Sequence, residues 1–228
     1  MQHVRTRVQP QGATFPVTQP VRFEPVIHLV KGDIVNLIAE TPKRYEEFVA
    51  FGPSGMLADT PSPAAWLADM VETVARAAAD EAAHSRPLMV SAPIAAMMHP
   101  DTPSACEAAA ARSRILPQEI CIEVTDASLS QSKKDVTRSI EALRRKGFRI
   151  AIDATQTWCT PLDTGLRLML DSVRIDAGEL WRSSDLMNRV EAAVACGMAV
   201  IAEKARYRDG SDLAALGIDL GARPRTDA

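Results

Sequence analysis

SIEALRRKGFRIAID, residues 139–153, is the stretch from which the rest of the chain is read. It continues a helical pattern that begins at Lys133. The helix predicted over 133–146 stops at Gly147, where a left-handed cap needs no side chain, and Phe148 to Ile152 follow at once as an apolar strand. Asp153 ends that strand. Helix, glycine, strand and terminal acid make up the repeating half of a strand–helix–strand unit around a parallel sheet.

Upstream the same alternation recurs. Ile120-Cys121-Ile122-Glu123-Val124 is a strand preceded by a helix over 101–114, and Leu88-Met89-Val90 precedes that helix. Ser62-Pro63 reads as an N-cap followed by proline at the first helical position, with Trp66, Leu67, Met70, Val71 and Val74 recurring on one face. Phe23 to Val30 and Ile34 to Ile38, joined by Lys31-Gly32-Asp33, suggest an opening hairpin. Downstream, Ser172 to Ile175 and Met198 to Ala202 are strands, the second after a helix closing at Gly197. A weak strand, Ile218 to Leu220, follows Gly217. This many alternating elements in one chain predict an α/β fold, a (β/α) barrel in preference to an open three-layer sheet. No sequence repeat of fixed period is present.

Composition sets bounds around that frame. The chain has 228 residues, 46% hydrophobic and 24% charged, enough to bury a core in one large domain or two very small ones. A formal net charge of −3 gives no broad basic field, and 4% aromatic residues give no stacking platform, so long nucleic acid is not an expected partner. Cys106, Cys121, Cys159 and Cys196 stand far apart, as reduced thiols of a cytoplasmic protein do. No segment has the apolar length of a bilayer span, so no membrane association is expected. Residues 1–22, rich in Gln, Pro and Thr, read as a flexible arm, 23–224 as the barrel domain and 225–228 as a tail. The four histidines are scattered, with no ligand spacing on a helix face.

The informative residues are those ending the apolar runs: Glu123, Asp153, Asp176 and Glu203. In a barrel the C-terminal ends of parallel strands share one face, so these four acids are expected to crowd one mouth. Capping of the following helices would account for any single one. Four in succession favour a present or former divalent-metal site, with oxygen-only ligands suited to Mg²⁺, Mn²⁺ or Ca²⁺.

At these residues the sequence resembles the EAL domain family, bacterial phosphodiesterases and sensors of cyclic di-GMP. FEPVIHL, residues 23–29, resembles the family's opening strand; Ile122 to Asp126 its E-x-T-E segment; SIEALRRKGFRIAID the approach to its D-D-F-G-T-G motif. Residues 173–176, VRID, resemble its K-I-D strand and 200–203, VIAE, its A-E-G-V-E strand. The resemblance implies a modified (β/α)8 barrel, and the weakness of the last strand suggests incomplete closure there, with an open edge for a partner or second copy.

For the signature motif, a direct count from Phe23 places Ile38 where the family's first Glu belongs. A longer first hairpin places Glu46 there, with Pro61 to Trp66 then at nearly the usual distance, and this register is preferred. Carried over, the metal carboxylates are Glu46, Glu123 and Asp153, Glu203 stands at the general base, and Asp176 is a supporting acid. The departures are Ser91 for the metal-binding Asn, Ala154 for the second Asp, Arg174 for the Lys, Arg206 for a second Glu, Ala50 for the Arg of the signature motif and Ala222 for the Gln near the C-terminus. They remove ligands from a two-metal clamp that works as a unit. The expected function is therefore a degenerate, non-catalytic regulatory or protein-interaction module, with Mg²⁺ or Mn²⁺ weakly held or absent and a protein partner or homodimer. The alternatives are an active metal-dependent cyclic di-GMP phosphodiesterase, in which Glu203 would be catalytic, or a cyclic di-GMP sensor in which Arg174 or Arg206 pairs a phosphate. For both arginines a salt bridge to neighbouring acids is the simpler role. Trp158, in place of a small loop residue, is either an exposed anchor or packed on the rim.

Overall fold

The structure, a computed structural model, describes residues 21–41 and 62–223. Strand β1 (Arg22–His28) turns through Gly32, at φ +77°, into antiparallel β2 (Ile34–Glu40), the expected hairpin. Val21 is already buried, one residue ahead of the strand. Helix α1 (Pro63–Asp80) opens as its Ser-Pro pair predicts: the Ser62 hydroxyl accepts the Ala65 N–H at 3.2 Å, and Trp66, Leu67, Met70, Val71 and Val74 are buried.

Parallel strands then alternate with helices. They run β3 (Leu88–Ser91), α2 (Ile94–Met98), α3 (Thr102–Arg112), β4 (Ile120–Thr125), α4 (Asp126–Gln131), α5 (Lys133–Arg145) and β5 (Arg149–Asp153). There follow α6 (Thr164–Arg167), β6 (Ser172–Asp176), α7 (Ala177–Leu180), α8 (Ser184–Ala195), β7 (Ala199–Glu203), α9 (Gly210–Ala215) and β8 (Leu220–Ala222). Gly147 and Gly197 carry positive φ, 93° and 77°, where α5 and α8 give way to the next strand.

The sheet is a closed barrel in chain order, which corrects the expectation of an open final edge. β8 lies two residues later than the apolar pattern suggested. It pairs in parallel with β7 from Ile201↔Leu220 to Glu203↔Ala222, and antiparallel with β1 from Val26↔Ala222 to His28↔Leu220. Leu-Gly-Ala carries almost no hydrophobic signal of its own, so its strand state comes from two flanking strands that satisfy its backbone groups. With no free edge at β8, docking through strand addition there has no basis.

The strands divide their side chains between two apolar layers, except that β6 places Ser172 and Arg174 at its inward positions. Ile120, Ile122, Ile150, Ile152, Val173, Ile175, Val200 and Ala202 pack outward against the helices. The alternate positions fill the barrel interior with Val26, Ile38, Met89, Cys121, Ala151, Ile201 and Ala222. This period of two decides the site. The next inward position above Cys121 is Glu123, above Ala151 is Asp153, and above Ile201 is Glu203.

Candidate functional site

Arg174 sits at the centre of the barrel mouth. It points inward from β6, between Val173 and Ile175, which pack outward, and it is buried. Its Nε and Nη2 donate to both carboxylate oxygens of Glu123 at 2.9 and 2.6 Å. Nη2 also donates to Asp153 Oδ2 at 2.8 Å, and Nη1 to Glu203 Oε1. One planar fork thus ties together acids from three other strands, which a lysine's single nitrogen would serve less completely. Burial by itself would favour the neutral form of Arg174, but Glu123, Asp153 and Glu203 outweigh it and raise its affinity for the proton. Burial pushes the Glu123 carboxyl up despite the opposing pull of Arg174, with Asp153 and Glu203 adding to the rise.

A second guanidinium lies beside the first. Arg223, just past β8, donates to Glu203 Oε1 at 3.2 Å and to Glu40 Oε1 at 2.7 Å. Ser91, at the end of β3, donates to Glu123 Oε2 at 3.3 Å. Two guanidiniums and four carboxylates therefore form one connected network from β2 to β8.

The expected convergence holds for Glu123, Asp153 and Glu203. Glu123 does not end its strand, since β4 runs two residues further to Thr125. Asp153 divides its work, with Oδ2 on Arg174 and Oδ1 accepting the Thr155 N–H and hydroxyl at 3.0 and 2.6 Å. Asp176, opposite Glu203 in register, turns its carboxylate to Lys204 Nζ at 2.6 Å and caps the Gly178 N–H at 2.8 Å. Burial opposes that charge, but the Lys204 and Gly178 contacts prevail and hold the carboxyl below its usual range. Asp176 is thus the helix-capping acid that the simpler reading allows. Ala154 is buried and donates its N–H to the Arg174 carbonyl at 2.8 Å, and Ala222 faces the interior.

Glu46 and Ala50 lie outside the described residues. The alternative register can be placed: Ile38 faces the barrel interior in the apolar layer, opposite Met89. All three nitrogens of the Arg174 guanidinium are engaged by carboxylates, the ion-pairing role weighed for it. Arg206 follows β7 half-buried, its backbone N–H donating to Asp209 Oδ2 at 3.2 Å. Trp158 is buried in the outer core, which removes the exposed-anchor reading.

Three contributors escaped the sequence reading. Glu40 ends β2 as Asp153 ends β5 and Glu203 ends β7, so the same signal would have found it. Arg223 and Lys204 carried no such signal. Asp126 gains a definite role: buried at the start of α4, it accepts the Cys159 N–H at 2.6 Å and the Thr160 N–H at 3.0 Å, fixing the loop after β5.

Among the described residues no group of three or more His, Cys, Asp or Glu side chains is disposed to hold a metal ion. The donor set gives the reason. The carboxylates that would coordinate a cation already surround a permanently charged guanidinium, and Ala154 offers no oxygen. The described residues do not fit a divalent pair.

An eight-stranded barrel whose first strand is antiparallel, with acids at the inward ends of β4, β5 and β7, defines a (β/α)8 domain with a carboxylate-lined mouth. The chain belongs to the EAL domain family, whose model matches residues 21–207. Among solved structures, the PaMucR phosphodiesterase in complex with c-di-GMP is similar at 20% identity and TM-score 0.69, covering 90% of this chain and 93% of that one. Klebsiella pneumoniae BlrP1, in a manganese/cy-diGMP complex, is similar at 21% identity and TM-score 0.69 over 90% of this chain and 55% of that one. A standalone versatile EAL protein from Vibrio cholerae O395, c-di-GMP bound, gives 18% identity and TM-score 0.68 over 90% of this chain and 89% of that one. No curated protein matches the chain. At these identities the likeness establishes the fold, and the chemistry of the mouth rests on this chain's own residues.

Proposed function

We propose that this chain is a non-catalytic EAL domain that serves as a regulatory or protein-interaction module in cyclic di-GMP signalling. The observation that carries the reading is Arg174 bound at once to Glu123, Asp153 and Glu203. Hydrolysis of a phosphodiester by a metal pair needs carboxylate oxygens free to coordinate and a base free to take a proton. Here Glu203 is shared between two guanidiniums and Glu123 is held on both oxygens. Neither Mg²⁺ nor Mn²⁺ is expected to bind with useful affinity. A module of this kind acts through a protein partner or a second copy; with the barrel closed, contact is made by side chains and not by strand addition. Four free thiols, two of them exposed, accord with a cytoplasmic setting.

The test is incubation of the purified protein with cyclic di-GMP and either Mg²⁺ or Mn²⁺, with product followed by chromatography. The expected result is no linear dinucleotide above the metal-only blank. Turnover abolished by Asp153→Asn would instead establish an active phosphodiesterase. Saturable cyclic di-GMP binding in a chelator, without turnover, would move the reading to a sensor.

A further inference from the structure

We infer that Arg174 is a resident counter-ion, a fixed guanidinium that does for this barrel mouth what divalent cations do for a bare carboxylate cluster, with Arg223 as its outer companion. The inference rests on the non-catalytic reading above, and its test does not depend on turnover.

Three facts carry it. First, Glu123 and Glu203 are almost fully buried and Asp153 is partly so, and all three reach one point from β4, β5 and β7. Carboxylates gathered in this way repel one another and lose hydration, so the arrangement persists only around positive charge. Second, that charge is supplied from within the sheet. Arg174 pairs in register with Asp153 on one side and Ile201 on the other, so its side chain rises between two of the acids and crosses to the third. Third, the two guanidiniums share a single oxygen, Glu203 Oε1, and between them they also hold Glu40, Glu123 and Asp153. The pair is thus bridged by one carboxylate and flanked by the others, with the cations covalently part of the chain. At the rim, Lys204 pairs with Asp176 at 2.6 Å.

A side chain in that role makes the mouth indifferent to divalent ions, and its removal should create a need for them. The experiment compares the thermal unfolding of wild type, Arg174→Lys and Arg174→Ala, in chelator and then with millimolar Mg²⁺, Mn²⁺ or guanidinium ion. Wild type should melt at the same temperature, within about 1 °C, whatever the cation. Arg174→Ala should melt roughly 10 °C lower in chelator, the size expected when one partner of a buried ion pair is removed. At least half of that loss should return when a divalent cation or guanidinium is added. Arg174→Lys should fall between the two. A folded Arg174→Ala that recovers with no cation would overturn the inference, since a purely structural arginine would give that result. Mn²⁺ binding to wild type, followed by the loss of the free-ion paramagnetic signal, gives a measurement that does not need the variant to fold: an undiminished signal is expected, and bound ion at the mouth, lost in Glu123→Gln, would overturn the assignment. Hydrolysis of cyclic di-GMP bears on the functional reading alone, whereas the melting series bears on the counter-ion.

Discussion

Removal of the Asp126 carboxylate should loosen the loop that follows β5 while leaving the barrel closed. The carboxylate is buried and accepts two backbone N–H groups of that loop, from Cys159 at 2.6 Å and Thr160 at 3.0 Å. Thr160 is itself buried, so its amide has no ready access to water once the carboxylate is gone. A hydrogen bond to a charged acceptor contributes about 1.5–3 kcal/mol, and a buried donor left unpaired costs about 1–3 kcal/mol. For two such bonds, with partial relaxation of the exposed Cys159, Asp126→Ala should lose about 3–5 kcal/mol in urea unfolding. Asp126→Asn keeps one acceptor oxygen and should lose about half of that. Amide exchange at residues 159 and 160 should accelerate far more than exchange in β4 or β5, because the loop opens locally. A loss below about 1 kcal/mol with unchanged protection at those two amides would refute the idea that Asp126 holds the loop.

Other outcomes follow from the same geometry. Gly217 has φ +77°, and an added Cβ would lie 2.6 Å from Val194 Cγ1, so Gly217→Ala should cost about 1–3 kcal/mol in denaturant unfolding, through strain and overlap together. Phe148 is among the largest fully buried side chains, and Phe148→Ala should lose about 3–5 kcal/mol by the same measurement. The Asp176 carboxyl is held below its usual range against the opposing effect of burial, so its contribution to stability is complete above about pH 4 and is lost as pH falls through its lower native-state value. The difference in melting temperature between wild type and Asp176→Asn should accordingly shrink as pH falls from 5 to about 2.

Local sequence determined much of this protein. Gly147 and Gly197 end helices because the chain takes a positive φ at each, the Ser62-Pro63 pair starts α1, and alternation in IAID and VIAE fixes which side chains face inward. These are short-range effects of backbone sterics and strand pleat, and they carried the barrel and the convergence of Glu123, Asp153 and Glu203. What tertiary structure alone decided was which partners meet. Leu220-Gly221-Ala222 becomes a strand because β1 and β7 flank it, a fact more than a hundred residues distant along the chain from β1. Asp176 shares its pattern with Glu203 but finds Lys204, and a lysine in the left-handed conformation directly after β7 gives no advance sign of that pairing. Arg174 was legible as a substituted position, yet its place at the centre of the acids follows from barrel closure, which brings β4, β5, β6 and β7 within reach of one guanidinium. Charge pairing depends on distance in space, and sequence records distance only along the chain.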